Sequence, residues 1–477
     1  MADVIRSVGD FRLAEARIIT SSGTEISVKR NIVGLKLFED CQRSAISGEV
    51  LIQDSGGFVS FAPIIGQEYF LLKIQTPSFK SEGDIIDYTK NVFVINSIQN
   101  RTEAGNNVSV YLLTFTTSEL VKNQRTRVNE SLNGTYSDIV EDMLNRVNCQ
   151  KQLFLEPTNG VKRIVAPNIS PFDVISMALK QSTSSLNENA SPSYMFYETF
   201  KGYNFRSLAS MYAQPIAQTY TTYVPGSQVN KGIVNIETQL GNVIDYEIVD
   251  NSNSLFNFTT GVYGSKLILH NIYTKSFTEH QYNYFDNFSK EKHITGYHDK
   301  KQFPIFSDVS IEKGGSRSSD FPSRTYLTSI SQGESDTNNT TVDGTEPYAA
   351  PDPQNSIQER ASTMNQLEKG LLLNIVTHGN TSVNAGDVVI LDIPYISSFK
   401  TAENPKNDRF YQGVFLIKRI KHEFSFTDKK HKSFITLVKD SLAKELEGPK
   451  DLYEPKPEKK ALVYKDKETF YPHIKPF

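Results

Sequence analysis

Four histidines lie near one another in the chain and are the side chains best suited to bind a metal ion: His270, His280, His293 and His298. Zinc sites use histidine nitrogens and cysteine sulfurs at short, regular spacings such as His-Glu-x-x-His or Cys-x-x-Cys. The spacings here are 10, 13 and 5 residues, and they match none of these patterns. The sequence therefore favours histidines with ordinary hydrogen bonds, and we predict no metal site and no cofactor.

Carboxylates offer a second kind of chemistry, because a pair of them can hydrolyse a glycosidic bond. One stretch of mixed pattern carries four: Glu130, Asp138, Glu141 and Asp142. Two of these fall on the polar side of one predicted helix, which is typical of a solvated surface. The chain has no P-loop, no Gly-x-Gly-x-x-Gly and no Gly-x-Ser-x-Gly. We therefore predict no catalytic residue and no enzymatic activity.

A run of basic residues could meet an anionic partner. It comprises Lys418, Arg419, Lys421 and His422, followed by Lys429, Lys430, His431 and Lys432. The spacing predicts a strand that leads into a hairpin turn. We favour a solvated hairpin over a charged tip that binds a partner.

Length and composition limit the classes of protein that remain. The chain has 477 residues, which predicts two to four domains. Its net charge of −3 argues against a protein whose main task is to bind nucleic acid. No apolar run approaches the ~20 residues needed to span a bilayer, and no secretory signal is expected at the N-terminus. Nothing suggests that Cys41 and Cys149 pair, which fits assembly in a reducing cytoplasm.

The elements that would position these side chains are mostly strands, and their pattern occurs twice. Each copy has strand-like runs that begin at matched residues: Gly48, Gly66 and Phe93 in the first copy, and Gly370, Gly386 and Phe415 in the second. The steps are 18 and 27 residues in one copy and 16 and 29 in the other. A short polar, helix-like stretch closes each copy, at residues 118–123 and 440–445. On this alignment, Lys73 matches Asp392 and Asn96 matches Lys418.

Helical patterns separate the two copies. Apolar residues at helical spacing predict a helix over residues 136–147, and Ser170, Pro171 and Asp173 predict the start of another. Further helices are predicted at 204–213, at 253–263 and from Ser356 to Gly370, with strands at 232–238 and 243–249. The expected domains are a first barrel (1–125), an inserted mixed α/β domain (126–230), connecting β segments (231–300), a long polar excursion (301–356), a second barrel (357–447) and an extended arm (448–477).

One segment carries a resemblance to a known family. It reads Gly261-Val-Tyr-Gly-Ser-Lys-Leu-Ile-Leu-His270-Asn and is followed by aromatic residues at Tyr273, Phe277, Tyr282 and Tyr284. Together with the doubled β pattern around it, this segment resembles the central baseplate hub protein of contractile-tailed phages, over about residues 30–445. The resemblance implies a mainly β fold with an α+β insertion, in which two tail-tube-like β-barrel domains accompany a mixed α/β domain and long loops.

The same resemblance implies a structural virion protein. Three copies would form a pseudo-sixfold ring that joins the hexameric tail tube, or its initiator protein, to a trimeric cell-puncturing spike. DNA would pass through the channel without specific binding, and a tape-measure protein is a further candidate partner. The expected location is the tail baseplate of the virion, assembled in the host cytoplasm.

Two alternatives stay open at this point. One is a tail-associated peptidoglycan hydrolase that uses carboxylates of the 126–230 region. The other is a receptor-binding adhesin in which the aromatic residues of 273–288 stack on sugars. The aromatic residues of the 448–477 arm fit equally a solvated tail and an arm that docks on a neighbouring subunit.

Overall fold

The structure is a computed structural model that describes residues 5, 7–58, 64–77, 84–105, 108–186, 191–222, 239–251, 253–272, 275–299, 301–308, 317–330, 354–394, 408 and 410–446. The 448–477 arm, most of the 301–356 excursion and the strand predicted at 232–238 lie outside these residues. Strands make up 49% of the structure and helices 20%, so the chain is mainly β, as predicted. Within the described ranges, no helix is both long and apolar enough to cross a membrane.

Seven strands form the first unit around one hydrophobic core. They are β1 (Arg12–Ile19), β2 (Glu25–Ser27), β3 (Ile32–Asp40), β4 (Ser47–Asp54), β5 (Tyr69–Gln75), β6 (Ile85–Glu103) and β7 (Ser109–Thr117). Hydrogen-bonded neighbours follow the order β2-β1-β5-β6-β7-β4-β3. Because side chains alternate along a strand, Val50 and Ile52 of β4 meet Leu113 and Phe115 of β7 in the core.

A mixed α/β domain follows the first unit. Its elements are α1 (Ser118–Arg125), β8 (Val128–Gly134), α2 (Tyr136–Arg146), β9 (Leu153–Leu155), β10 (Lys162–Ile169), α3 (Pro171–Gln181), β11 (Tyr194–Thr199), β12 (Gly202–Ser207) and α4 (Leu208–Tyr212). Helices α2 and α3 start with capping boxes at Thr135 and Ser170, and their apolar faces pack together through Val140 and Ile175. The two long helices therefore follow the sequence pattern.

The helix predicted at 204–213 is wrong in its first half. The residues from Gly202 to Ser207 pair with β11 as a strand, and the helix begins only at Leu208, with Ser207 as its N-cap. Pairing with a neighbouring strand overrides a local preference for helix, because it buries both faces of β12.

The second unit is a closed barrel of six strands. They are β13 (Ile216–Thr222), β14 (Asn242–Asn251), β19 (Leu371–His378), β20 (Val388–Asp392), β21 (Gly413–Ser425) and β22 (Lys430–Lys439). The order is β21-β20-β13-β14-β19-β22, and β22 pairs again with β21 to close the ring. Strand β13 belongs to this barrel although it falls within the range expected for the inserted domain.

Smaller elements lie between β14 and β19 and after β22. They are α5 (Ser254–Thr260), β15 (Gly264–Asn271), β16 (Ser276–Asn283), α6 (Tyr284–Phe288), α7 (Ile294–His298), β17 (Phe303–Pro304), a 3-10 turn (Ser318–Asp320), β18 (Arg324–Ile330), a π turn (Gln354–Glu359), α8 (Arg360–Lys369) and β23 (Ser441–Leu442). Helix α8 stops at Gly370, as predicted. The helix predicted at 440–445 is wrong, because Ser441 and Leu442 pair as a strand with β17.

The two units have equivalent strands in the same order. The order β5-β6-β7-β4-β3 in the first corresponds to β20-β21-β22-β19-β14 in the second. Strands β1 and β13 hold the next place in each unit but differ in direction, because β1 is antiparallel to β5 and β13 is parallel to β20. Strand β6 has a bulge at Asn96 and β21 has one at Lys418, and these are the two positions that the sequence repeat matched. Lys73 and Asp392 are also equivalent. Each lies three residues after the residue that pairs with a matched phenylalanine, which is Phe93 in the first unit and Phe415 in the second.

The match of Gly48 with Gly370 is wrong. Gly48 lies opposite Phe115 of β7, and the residue opposite the equivalent Leu437 of β22 is Leu373. The alignment was therefore displaced by three residues, an odd number that exchanges the two faces of a strand. Since Gly370 follows the end of α8, its role is to end that helix.

Candidate functional site

Strand β21 joins the two units by changing partners along its length. Residues 413–416 pair with β20 of the barrel, whereas residues 419–425 pair with β3 of the first unit. Strand β22 pairs along the other side of β21 from Leu416 to Ser425. The change occurs at the Lys418 bulge, as is typical of bulges, which redirect a strand. The result is one continuous sheet of 13 strands.

Lys418 is buried beneath this junction, with only 3% of its surface exposed. Its Nζ donates to the backbone oxygen of Leu367 at 3.1 Å and lies 3.3 Å from a carboxylate oxygen of Glu368. Its own backbone oxygen accepts from the N–H of Cys41 at 3.0 Å. The interpretation of the basic run as a solvated hairpin is therefore wrong for Lys418.

The hairpin interpretation is also wrong for two histidines of the same run. His422 Nδ1 and His431 Nε2 lie 3.1 Å apart, and both rings are fully buried. Burial lowers the pKa of His422 to about 3 and that of His431 well below its usual range. Both rings are therefore neutral near pH 7. The remaining basic side chains at the tip, Lys429, Lys430 and Lys432, are exposed as predicted.

Glu39 lies on the inward face of β3, and its carboxylate accepts hydrogen bonds from two other parts of the molecule. One carboxylate oxygen accepts from the N–H of Phe200 in the inserted domain at 2.7 Å. The other accepts from the N–H of Ala385, before β20, at 2.8 Å. Burial raises the pKa of Glu39 to about 8.

A second buried network holds the inserted domain against the first unit. Lys151 Nζ lies 2.6 Å from a carboxylate oxygen of Glu119 and 2.5 Å from one of Glu198. Glu198 also accepts from the N–H of Ile46 and the hydroxyl of Thr117. Burial by itself would lower the pKa of Lys151, but the two carboxylates raise it. The ammonium group therefore stays charged, with each buried charge paired.

The joined sheet has a concave face that points away from both cores. A groove of about 680 Å³ crosses six adjacent strands of it, β4, β3, β21, β22, β19 and β14. The side chains that line the groove include Phe38, Asn374, Phe434 and Thr436. We refer to this surface as the concave face.

Three ion pairs lie on the concave face. Lys36 of β3 lies 3.9 Å from Glu49 of β4, Arg419 of β21 lies 2.7 Å from Asp40 of β3, and Lys421 lies 3.1 Å from Glu423 on the same strand, β21. Lys421 also lies over the ring of Phe434, 3.6 Å from its centre. The groove adds Asp245 and Glu247 of β14 and Arg43. The face is therefore polar, with charges of both signs interspersed.

Comparison with solved structures finds the same fold in another chain. The structure of a tail protein from Neisseria meningitidis MC58 superimposes with a TM-score of 0.50 and 10% identity, over 90% of this chain and 97% of that one. The chain has the fold of that tail protein. No protein-family profile and no curated protein matches the sequence.

Two further solved structures are similar at lower scores. A 43 kDa tail protein of prophage MuSo2 from Shewanella oneidensis has a TM-score of 0.44 and 9% identity, covering 89% of this chain and 98% of its own. An Escherichia coli component of the type VI secretion system has a TM-score of 0.39 and 8% identity, covering 90% of this chain and 76% of its own.

The four histidines of the 270–298 region are not brought together. His270 stacks on Phe277 with ring centres 4.4 Å apart, and His293 Nδ1 lies 2.9 Å from a carboxylate oxygen of Asp440. His298 Nε2 lies 2.8 Å from the backbone oxygen of Tyr212. Within the part of the chain that the structure describes, no three histidine, cysteine or carboxylate side chains form a group that could hold a metal.

The four carboxylates of the mixed domain serve local structure. Asp138 closes the capping box of α2, while Asp142 and Glu130 both form ion pairs with Arg146. Glu141 is exposed on the same helix. These interactions fit the solvated surface that the helical pattern favoured.

The buried ionisable side chains at the junction are the feature that the sequence pattern did not predict. A signal for Glu39 was present, because it follows Leu35 and Leu37 at alternate positions and so shares their inward face. An acidic residue on a core-facing position needs hydrogen-bond donors from another element. The sequence gives no sign of which elements supply them.

Proposed function

We propose that this chain is a structural protein of a phage tail, a baseplate hub that assembles as a ring of three copies. The observation that supports it is the pair of equivalent units joined edge to edge through β3 and β21. Head-to-tail contacts close into a ring when each step rotates by a fraction of the circle. Two similar units per chain and three chains give six stations about 60° apart.

The proposed ring has its channel on the concave face. This face is continuous across both units, because the strands from β4 to β14 are hydrogen-bonded neighbours. Lys36, Arg419 and Lys421 of this face are paired with carboxylates, and binding to DNA grows with each phosphate that a protein neutralises. Paired charges would let DNA pass with little retention, and no specific binding is proposed.

The symmetry of the ring defines its partners. Six similar stations suit a hexameric tail tube or tube-initiator protein on one side, while the true threefold repeat suits a trimeric spike on the other. A tape-measure protein inside the tube is a further partner. The location that follows is the tail baseplate of the virion, after assembly in the host cytoplasm.

Electron-microscopic class averages test this proposal directly. We expect the purified chain, alone or mixed with its trimeric spike, to give rings with six lobes that differ alternately. Native mass spectrometry of the same sample should give a mass of three chains, since each chain supplies two stations. A chain that stays monomeric in both conditions contradicts the proposal.

A further inference from the structure

Two strand edges on the joined sheet have no strand partner among the described residues. Strand β6 pairs with β5 only as far as Val94, so its residues 97–103 have β7 on one side alone. Among the described residues, which leave out 223–238, strand β14 pairs with β13 only at Asn242 and Val243, and its later residues have only β19 beside them. These edges lie at opposite ends of the sheet β6-β7-β4-β3-β21-β22-β19-β14.

The same two edges are used elsewhere in the chain. Strand β6 is the equivalent of β21, and β14 is the equivalent of β3. In the junction, β21 and β3 pair antiparallel from Arg419 opposite Asp40 to Ser425 opposite Gly34. The open edge of β6 in the first unit is thus equivalent to the edge of β21 that pairs with β3. The open edge of β14 in the second unit is equivalent to the edge of β3 that pairs with β21.

Bulges in the two free strands match each other. Strand β6 has one extra residue between Gln99 and Thr102 relative to β7, with Asn100 at a φ of 53°. Strand β14 has one extra residue between Ile248 and Asp250 relative to β19. When the two units are superposed by matching their equivalent strand pairs, the extra residue of β6 and the extra residue of β14 both fall between the same two residue pairs of the β21–β3 junction. Because each strand has one more residue at that place, the pairing register is the same before and after it.

We propose that β14 of one copy pairs antiparallel with β6 of the next, with Thr102 opposite Glu247 and Gln99 opposite Asp250. This inference rests on the proposed function, because it supplies the contact between copies. The pairing would satisfy the open backbone groups of both edges and cover Ile248, which is 40% exposed, and Val249, which is 51% exposed. Eight strands per copy would then line the channel.

The dimensions are consistent with a closed ring. Neighbouring strands lie about 4.8 Å apart, so eight strands from each of three copies give a circumference of about 115 Å. One chain supplies about a third of that arc, and its own β6 and β14 are not paired with each other among the described residues. We therefore place the contact between copies.

Cysteine cross-linking tests the register. We expect Thr102→Cys with Glu247→Cys, in a Cys149→Ser background, to form covalent trimers on oxidation, because directly opposed residues have Cβ atoms about 5 Å apart. Mixing the two single variants should give covalent dimers only, which separates links between copies from links within one. The matched control is Glu103→Cys with Glu247→Cys, where Glu103 points to the other face, and we expect at least about tenfold less cross-linking.

The outcomes separate this inference from the proposed function. Trimers by native mass spectrometry without a link between residues 102 and 247 would overturn the strand pairing and leave the ring intact. Equal or stronger linking of the control pair would show another register and overturn it as well. A monomeric chain would overturn both proposals.

Discussion

At the scale of single residues, Glu39 makes stability depend on pH. Its pKa in the folded chain is about 8, raised by burial, whereas the ordinary value is 4.5. Between these values the unfolded chain releases a proton that the folded chain keeps, so the free energy of unfolding falls as pH rises from 4.5 to 8. The slope is at most about 1.4 kcal/mol per pH unit.

Replacing Glu39 isolates this effect. We expect Glu39→Gln to be less stable than the original chain at pH 5, because one of the two N–H groups, of Phe200 or Ala385, loses its acceptor. The difference should shrink toward pH 8, since only the original chain loses stability over that window. Chemical denaturation at a series of pH values measures it. Parallel pH curves for the two proteins would contradict the assignment.

The His422–His431 pair predicts the opposite pH dependence. Burial holds both pKa values far below the ordinary 6.5, that of His422 at about 3. Below pH 6.5 the unfolded chain takes up protons that the folded chain refuses, so stability falls as pH falls from 6.5 toward 3. We expect His422→Phe with His431→Phe to unfold at a temperature that changes less between pH 7 and pH 5. The half-buried His270, changed to Phe, is the control and should leave the acid dependence in place.

At the scale of elements, Gly48 shows how closely β4 and β7 approach. A Cβ atom at this position would lie 2.3 Å from the ring of Phe115 and 2.8 Å from the backbone oxygen of Lys36. We expect Gly48→Ala to lower the free energy of unfolding by about 1–3 kcal/mol, the usual cost of overpacking. Gly34→Ala on β3 is the matched control, because its nearest neighbour would be 3.9 Å away. Similar unfolding midpoints for both variants would contradict this packing.

Local elements were the part of the fold that the sequence predicted best. Helix α2 was predicted from its apolar period and α3 from its cap at Ser170, since each signal lies within one segment. The repeat also matched strand runs that occur in the same chain order in both units. Gly48 and Gly370 show the limit, since a glycine can open a strand or end a helix and its spacing alone does not say which.

The junction could not be predicted, because it depends on residues far apart in the chain. The pattern of β21 gives a basic strand, and only the contact of Lys418 with Leu367 and Glu368 of α8 explains why this lysine is buried. Glu39 likewise receives hydrogen bonds from two other parts of the fold. Local periodicity predicts which face of a strand is inward and carries no information on which strand lies beside it.

At the scale of the whole molecule, the proposed channel works because its charges cancel locally. Each concave face has paired charges such as Lys36 with Glu49 and Lys421 with Glu423. We predict that Glu49→Gln with Glu423→Gln frees two lysines per copy and makes the assembled ring retain duplex DNA at low salt. Log K against log salt should steepen by about 0.9 for each phosphate neutralised. Fluorescence anisotropy with labelled DNA across a salt series measures it.

A control with the same change in net charge decides whether the face matters. Glu141→Gln with Glu279→Gln also removes two carboxylates per copy, on α2 and on β16, where Glu279 pairs with Lys266 at 2.7 Å. We expect this variant to bind DNA as weakly as the original ring, because its freed charges lie off the concave face. If both variants gain the same affinity, net charge alone governs the contact with DNA. The concave face would then have no special role in passage, and the channel would have to lie on another surface.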